Sequence, residues 1–179
     1  MALAALEYAG LDEVWLMPSG HSPHKDERHM TPFKDRYRMC QLAVDGYDRI
    51  KVSSYEMEKD VKNYTYLTMT SLAEDYPDEE FYFIMGADSL DYFDHWVHPE
   101  IICRCCKLLV INRGEFTLSD LNHKIASLEN AMDAHITVVP CEKYDISSTE
   151  LRQEIHEGIS CIEHLNEAEY QYIMEHKLY

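Results

Sequence analysis

Tyr144-Asp145-Ile146-Ser147-Ser148-Thr149-Glu150-Leu151-Arg152 follows the apolar run His135-Ile136-Thr137-Val138-Val139-Pro140 and opens an amphipathic run carrying Leu151 and Ile155. The first pattern predicts a buried strand and the second a helix, so one hands over to the other here. Ser147 followed by Glu150 is a capping box, which predicts Ser147 as N-cap and Ser148 and Thr149 as the first helical positions. Backbone N–H groups, two hydroxyls and the positive end of a helix dipole then meet at one point. Arg152 shares the face of Ser148 and Thr149, by spacings of four and three residues. Such a cluster suits a polyphosphate, although a well-capped helix with a surface Arg carries the same letters.

Working outward, the same alternation repeats along the chain. Residues 1–9 are helix formers ending at Gly10, and 13–17 read as a buried strand stopped by Pro18. Residues 18–31 hold turn formers, three histidines and Lys25, which predicts a polar loop. Thr31-Pro32 predicts an N-cap followed by Pro at the first helical position, with the helix running to about Asp45 and Arg36 and Arg38 on its solvated face. Further strands are expected at 49–54, 80–85, 107–111 and 136–139. Further helices are expected at 66–75, around Leu90 to Trp96, at 99–104, at 117–132, from Ser147, and at 167–176. Most of these strands are continuous apolar runs, the mark of a parallel sheet covered on both faces. Ligands in such α/β folds sit outside the carboxyl ends of the strands. That is where Ser19 to Lys25, Gly86-Ala87-Asp88, Asn112-Arg113 and Asp145 to Arg152 fall.

A length of 179 residues with 46% apolar content fits one folded domain, and no repeat, low-complexity stretch or linker divides it. Thirty-three acidic against sixteen basic residues give a net charge of -17, which repels nucleic acid and acidic membranes. An anionic ligand must therefore meet a local cluster of the few cations. No apolar run reaches the length of a membrane span and the N-terminus lacks a signal-peptide pattern, so a cytoplasmic protein with reduced thiols is expected. Cys103-x-Cys105-Cys106 is not a zinc spacing, and the pairs His21/His24 and His95/His98 lack a third ligand, so no metal site is expected.

With the strand ends aligned, the chain resembles the bacterial nicotinate-nucleotide adenylyltransferases of the nucleotidyltransferase superfamily. The resemblance rests on the order and spacing of Leu11 to Pro18, Pro23-His24-Lys25, Asn63-Tyr64-Thr65, Phe81 to Asp88, Trp96, Asn112-Arg113, Ile146 to Arg152 and the C-terminal Tyr172-Ile173 and Leu178-Tyr179. It implies a Rossmann-like α/β fold and transfer of AMP from ATP to nicotinate mononucleotide, giving deamido-NAD and pyrophosphate, with Mg²⁺ on the phosphates. By the same resemblance, Ser148, Thr149 and Arg152 are catalytic, and Gly86, Asp88, Ile146 and Ser147 join them around ATP. His24, Lys25, Tyr64, Thr65, Trp96 and Arg113 would receive the mononucleotide. Apart from these nucleotides no partner is implied, neither nucleic acid nor membrane, and a homo-oligomer is allowed for.

The family begins with a strand and a Gly-x-Phe-Asp-Pro-x-His-x-Gly-His turn, whereas this chain starts inside the helix that follows them. The resemblance therefore implies that the first, central strand is missing, leaving its neighbours with unpaired N–H and C=O groups. The chain would then be an N-terminally shortened version of an active enzyme, or a non-catalytic nucleotide-binding relative. Within the superfamily, a phosphopantetheine adenylyltransferase is the nearest alternative, against which Trp96 and Tyr64-Thr65 favour a flat aromatic substrate.

Overall fold

A computed structural model describes residues 1–20, 30–57, 62–112, 116–141, 147–161 and 163–179. Contacts divide the chain into two compact units, Met1–Asp12 with Asn63–Lys143, and Glu13–Lys62 with Tyr144–Tyr179.

The first unit is built on strands β3 (Tyr82–Gly86), β4 (Lys107–Asn112) and β5 (Ile136–Pro140), all parallel, with β4 in the middle. Leu108, Leu109, Val110 and Ile111 of β4 are all buried, which is why this strand reads as an unbroken apolar run rather than an alternating one. Full burial of each such side chain stabilises the fold by roughly 1.5–3 kcal/mol. Between β3 and β4 the chain makes the short helix α4 (Ala87–Asp91), a 3-10 turn (Phe93–His95) and α5 (Pro99–Cys105). Between β4 and β5 it makes α6 (Leu118–Met132). Helix α1 (Ala2–Tyr8) packs Ala5 against Leu109, Ile111 and Val139, and α3 (Thr65–Asp75) packs on α5. Gly10, at φ +62, lets the chain leave α1, and Leu11 N–H closes that end on Leu6 C=O.

In the second unit β1 (Val14–Leu16) and β2 (Ile50–Val52) form a parallel pair joined by α2 (Phe33–Ala43). Helices α7 (Ser148–His156) and α8 (Glu167–His176) complete it. Met39, Ile155, Cys161 and Ile173 form its buried cluster, with Leu178 and Tyr179 packed alongside. Asn166 Nδ2 donates to Leu42 C=O at 2.7 Å and Tyr172 Oη to Asp35 Oδ1 at 2.8 Å, so α8 is latched to both ends of α2.

The expected parallel pairing holds for every strand described, in two sheets of two and three strands. Three local expectations change. Helix α2 starts one residue later than the Thr31-Pro32 reading predicts, because Asp35 and Arg36 N–H both bond to Pro32 C=O, which makes Pro32 the cap. The single helix expected around Leu90 to Trp96 breaks into α4 and the 3-10 turn, leaving Trp96 extended at φ -69 and ψ 161. Arg36 is half-buried rather than solvated. Its guanidinium donates to Ser19 C=O at 2.7 Å and Thr31 C=O at 2.9 Å, whereas Arg38 does lie on the exposed face.

Candidate functional site

The site residues fall into two sets, one in each unit. In the second unit the set is carried by the first turn of α7. Ser147 stands outside the helix at φ -99 and ψ 125, and its Oγ accepts from the N–H of Thr149 at 3.3 Å and of Glu150 at 3.4 Å. This is the cap that the Ser147 to Glu150 spacing predicts. The hydroxyl-bearing residues Ser148 and Thr149 are exposed beyond it. Arg152 lies one turn on, with Nη1 within 3.5 Å of Ser148 Oγ, a long hydrogen bond, and its guanidinium carbon 5.4 Å from the centre of the Tyr179 ring. Hydroxyls, a helix N-terminus and a guanidinium are therefore grouped on one exposed edge, the composition that an anionic group needs. Ile146 lies outside the described residues, as do His24 and Lys25.

In the first unit β3 ends at Gly86, which is also the N-cap residue of α4. Asp88 sits in the first turn of α4 with its carboxylate exposed and folded back over Gly86. A Cβ on residue 86 would overlap Asp88 Oδ1, so glycine is what allows this side chain its position. Helix α3 starts with Tyr64 as its cap residue, extended at φ -80 and ψ 135, and no side chain caps it. Leu67 and Thr68 N–H bond to Tyr64 C=O, and the amide end at Thr65 and Tyr66 is left to a ligand or water.

Trp96 is half-buried, in edge contact with Phe83 at 6.0 Å between ring centres and tilted against Phe93 at 5.4 Å. Trp96 therefore packs on Phe83 and Phe93 while part of its surface stays accessible. Asn112, at the end of β4, donates its amide to Phe116 C=O at 2.9 Å; Arg113 lies outside the described residues.

Three residues to which the sequence assigned no site role lie beside these groups. Tyr66 sits 6.1 Å from Tyr64 and 4.8 Å from the His98 ring, centre to centre. His98 is held at φ 53 and ψ 55 directly before Pro99, an unusual place for a residue with a Cβ that costs about 1–2 kcal/mol. Tyr179, just past the end of α8, is the third, its ring facing the Arg152 guanidinium. Tyr66 carried no sequence signal beyond neighbouring aromatic letters, and His98 stood out only as half of the His95/His98 pair. For Tyr179 it was the C-terminal pair noted above.

Among the described residues, no group of three His, Cys, Asp or Glu side chains could hold a metal ion, and no helix is long and apolar enough to cross a membrane. All six cysteines are free thiols. Desolvation pushes Cys103 up to about 11 and Cys106 up to about 12, which keeps both protonated and poor as metal ligands or nucleophiles.

Residues 1–154 match the family model described as cytidylyltransferase-like. The chain is 32% identical over its whole length, and over 90% of the relative's, to a probable nicotinate-nucleotide adenylyltransferase of Clostridium botulinum (strain Loch Maree / Type A3). It is 35% identical to the protein of the same description from Shewanella pealeana, covering 94% of this chain and 82% of that one. Among solved structures it is similar to the Plasmodium falciparum nicotinic acid mononucleotide adenylyltransferase complexed with APC, with a TM-score of 0.74 at 18% identity over 98% of this chain and 88% of that one. The same Plasmodium protein complexed with NaAD gives a TM-score of 0.74 at 19% identity, over 94% and 82% of the two chains.

Proposed function

The chain belongs to the cytidylyltransferase-like family and, within it, to the nicotinate-nucleotide adenylyltransferases, and from that premise we propose that it transfers AMP from ATP to nicotinate mononucleotide, forming deamido-NAD and pyrophosphate. The phosphate of the mononucleotide attacks the α-phosphorus of ATP; one P–O bond forms as the bond to the departing pyrophosphate breaks. No covalent enzyme intermediate is needed, so the protein's contribution is positioning and neutralisation of charge.

The observation that supports this reading best is the first turn of α7, where Ser148, Thr149 and Arg152 stand exposed around a capped helix N-terminus. In a chain of net charge -17 such a grouping is the kind of local cation and dipole site a triphosphate requires. Ser148 and Thr149 would donate to phosphate oxygens, and Arg152 would follow the charge that builds on the leaving pyrophosphate. Asp88 would accept from ribose hydroxyls above Gly86. The uncapped amide end of α3 at Tyr64 and Thr65 would take the nicotinate carboxylate, and the half-exposed face of Trp96 would stack on the pyridine ring. His24, Lys25 and Arg113 would meet the phosphate of the mononucleotide, and Ile146 the nucleotide beside Ser147. Mg²⁺ would enter as the MgATP substrate, held by phosphate oxygens. A cytoplasmic enzyme fits the location of its nucleotide substrates.

The test is to incubate the full-length gene product with ATP, Mg²⁺ and nicotinate mononucleotide and to follow pyrophosphate and deamido-NAD. Formation of both in equal amounts is expected, with weaker turnover of the amide mononucleotide because it lacks the charge that an uncapped helix end favours. No pyrophosphate with either mononucleotide, or release with phosphopantetheine instead, would reject the reading. Binding of ATP without turnover would establish the non-catalytic alternative.

A further inference from the structure

We propose that Tyr179 is a positioning residue for the reaction, orienting the guanidinium of Arg152 over the first turn of α7. The inference rests on the phosphate-binding role proposed above for Arg152 and goes beyond it by naming what holds that side chain. Arg152 is exposed on the surface of α7, where a long guanidinium side chain samples many rotamers unless something restricts it. Two groups restrict it here. Ser148 Oγ is within 3.5 Å of Nη1 on one side, and the Tyr179 ring lies 5.4 Å from the guanidinium carbon on the other. An aromatic face attracts a guanidinium without using its hydrogen-bond donors. The remaining N–H groups stay available for phosphate oxygens.

Tyr179 can act this way because its own position is set by packing. Lys177 takes a left-handed conformation that ends α8, Leu178 N–H bonds to Ile173 C=O, and Leu178 and Tyr179 pack against the Met39, Ile155, Cys161 and Ile173 cluster. Helix α8 is in turn latched to α2 through Tyr172 to Asp35 and Asn166 to Leu42. The ring is thus carried by a packed element rather than by a free tail, and Ile155 of the same cluster belongs to α7.

The experiment is a double-mutant cycle in the full-length gene product, with kcat and the KM for MgATP measured well below every variant's melting temperature. Tyr179→Leu keeps the apolar volume against the cluster and removes the ring face; Tyr179→Met gives the same comparison where Leu lowers the yield of folded protein. The expected result is a fall of ~3-fold in kcat/KM for Tyr179→Leu, the size a cation–π contact at a partly exposed site supports. Tyr179→Phe is expected to retain the wild-type value, since the ring face is what acts. In an Arg152→Ala background, Tyr179→Leu should then have no further effect. Multiplicative losses from the two substitutions, or an unchanged kcat/KM in Tyr179→Leu beside a clear loss in Arg152→Ala, would overturn the inference while leaving the role of Arg152 standing. Wild-type kcat/KM in Arg152→Ala alone would remove Arg152 from the site and this inference with it.

Discussion

The carboxylate of Asp88 reaches back over residue 86, and only a hydrogen leaves room for it. Gly86→Ala should therefore displace a short flexible side chain rather than backbone, with little cost to folding and a direct cost to the site. The expected outcome is a rise of ~3- to 10-fold in the KM for ATP, the net worth of about one ordinary hydrogen bond, with a melting temperature close to wild type. A large drop in melting temperature with unchanged KM would show that Gly86 serves packing alone. A second residue-level expectation concerns the thiols. Burial raises Cys106 to about 12 and Cys103 to about 11, so at pH 8 almost no thiolate is present at either position. Mass spectrometry after brief iodoacetamide treatment of the native protein should find both unmodified, and rapid alkylation of Cys106 would refute this.

The elements owe their ends to local chemistry. Ser147, Thr117 and Asn166 each accept a backbone N–H with the side chain at the start of α7, α6 and α8 respectively, and each is a residue type that does so in any context. Ser147→Ala should lower stability by about 1 kcal/mol, read from the urea midpoint at unchanged slope. It should also weaken ATP binding, because the same turn presents Ser148 and Thr149. A midpoint equal to wild type would mean that α7 is held by its packing through Ile155 and not by its cap. Helix α3 is the counterexample: Tyr64 offers no capping side chain, and the end it leaves open is the one assigned to the nicotinate carboxylate.

For the whole molecule, charge decides what can approach. At -17 the protein repels any extended polyanion, so an anionic ligand must be met by a local group of cations and helix amides. Double-stranded DNA added at about 0.1 M salt, where the screening length is ~10 Å, should give no mobility shift even at micromolar protein; a shift would contradict the charge argument. The sequence by itself determined the order of helices and strands, the parallel pairing, and the capped turn at Ser147, because periodicity and capping depend on residues two to four positions apart. It also carried the family, through the spacing of short motifs at strand ends. Only the tertiary structure decided that Arg36 reaches the Ser19 carbonyl, that Asp35 receives Tyr172, that His98 meets Tyr66 in a left-handed conformation, and that Arg152 lies against Tyr179. These contacts join positions as far as 137 residues apart. Which side chains meet over such distances is set by how buried apolar faces pack together, and no local pattern of letters encodes it.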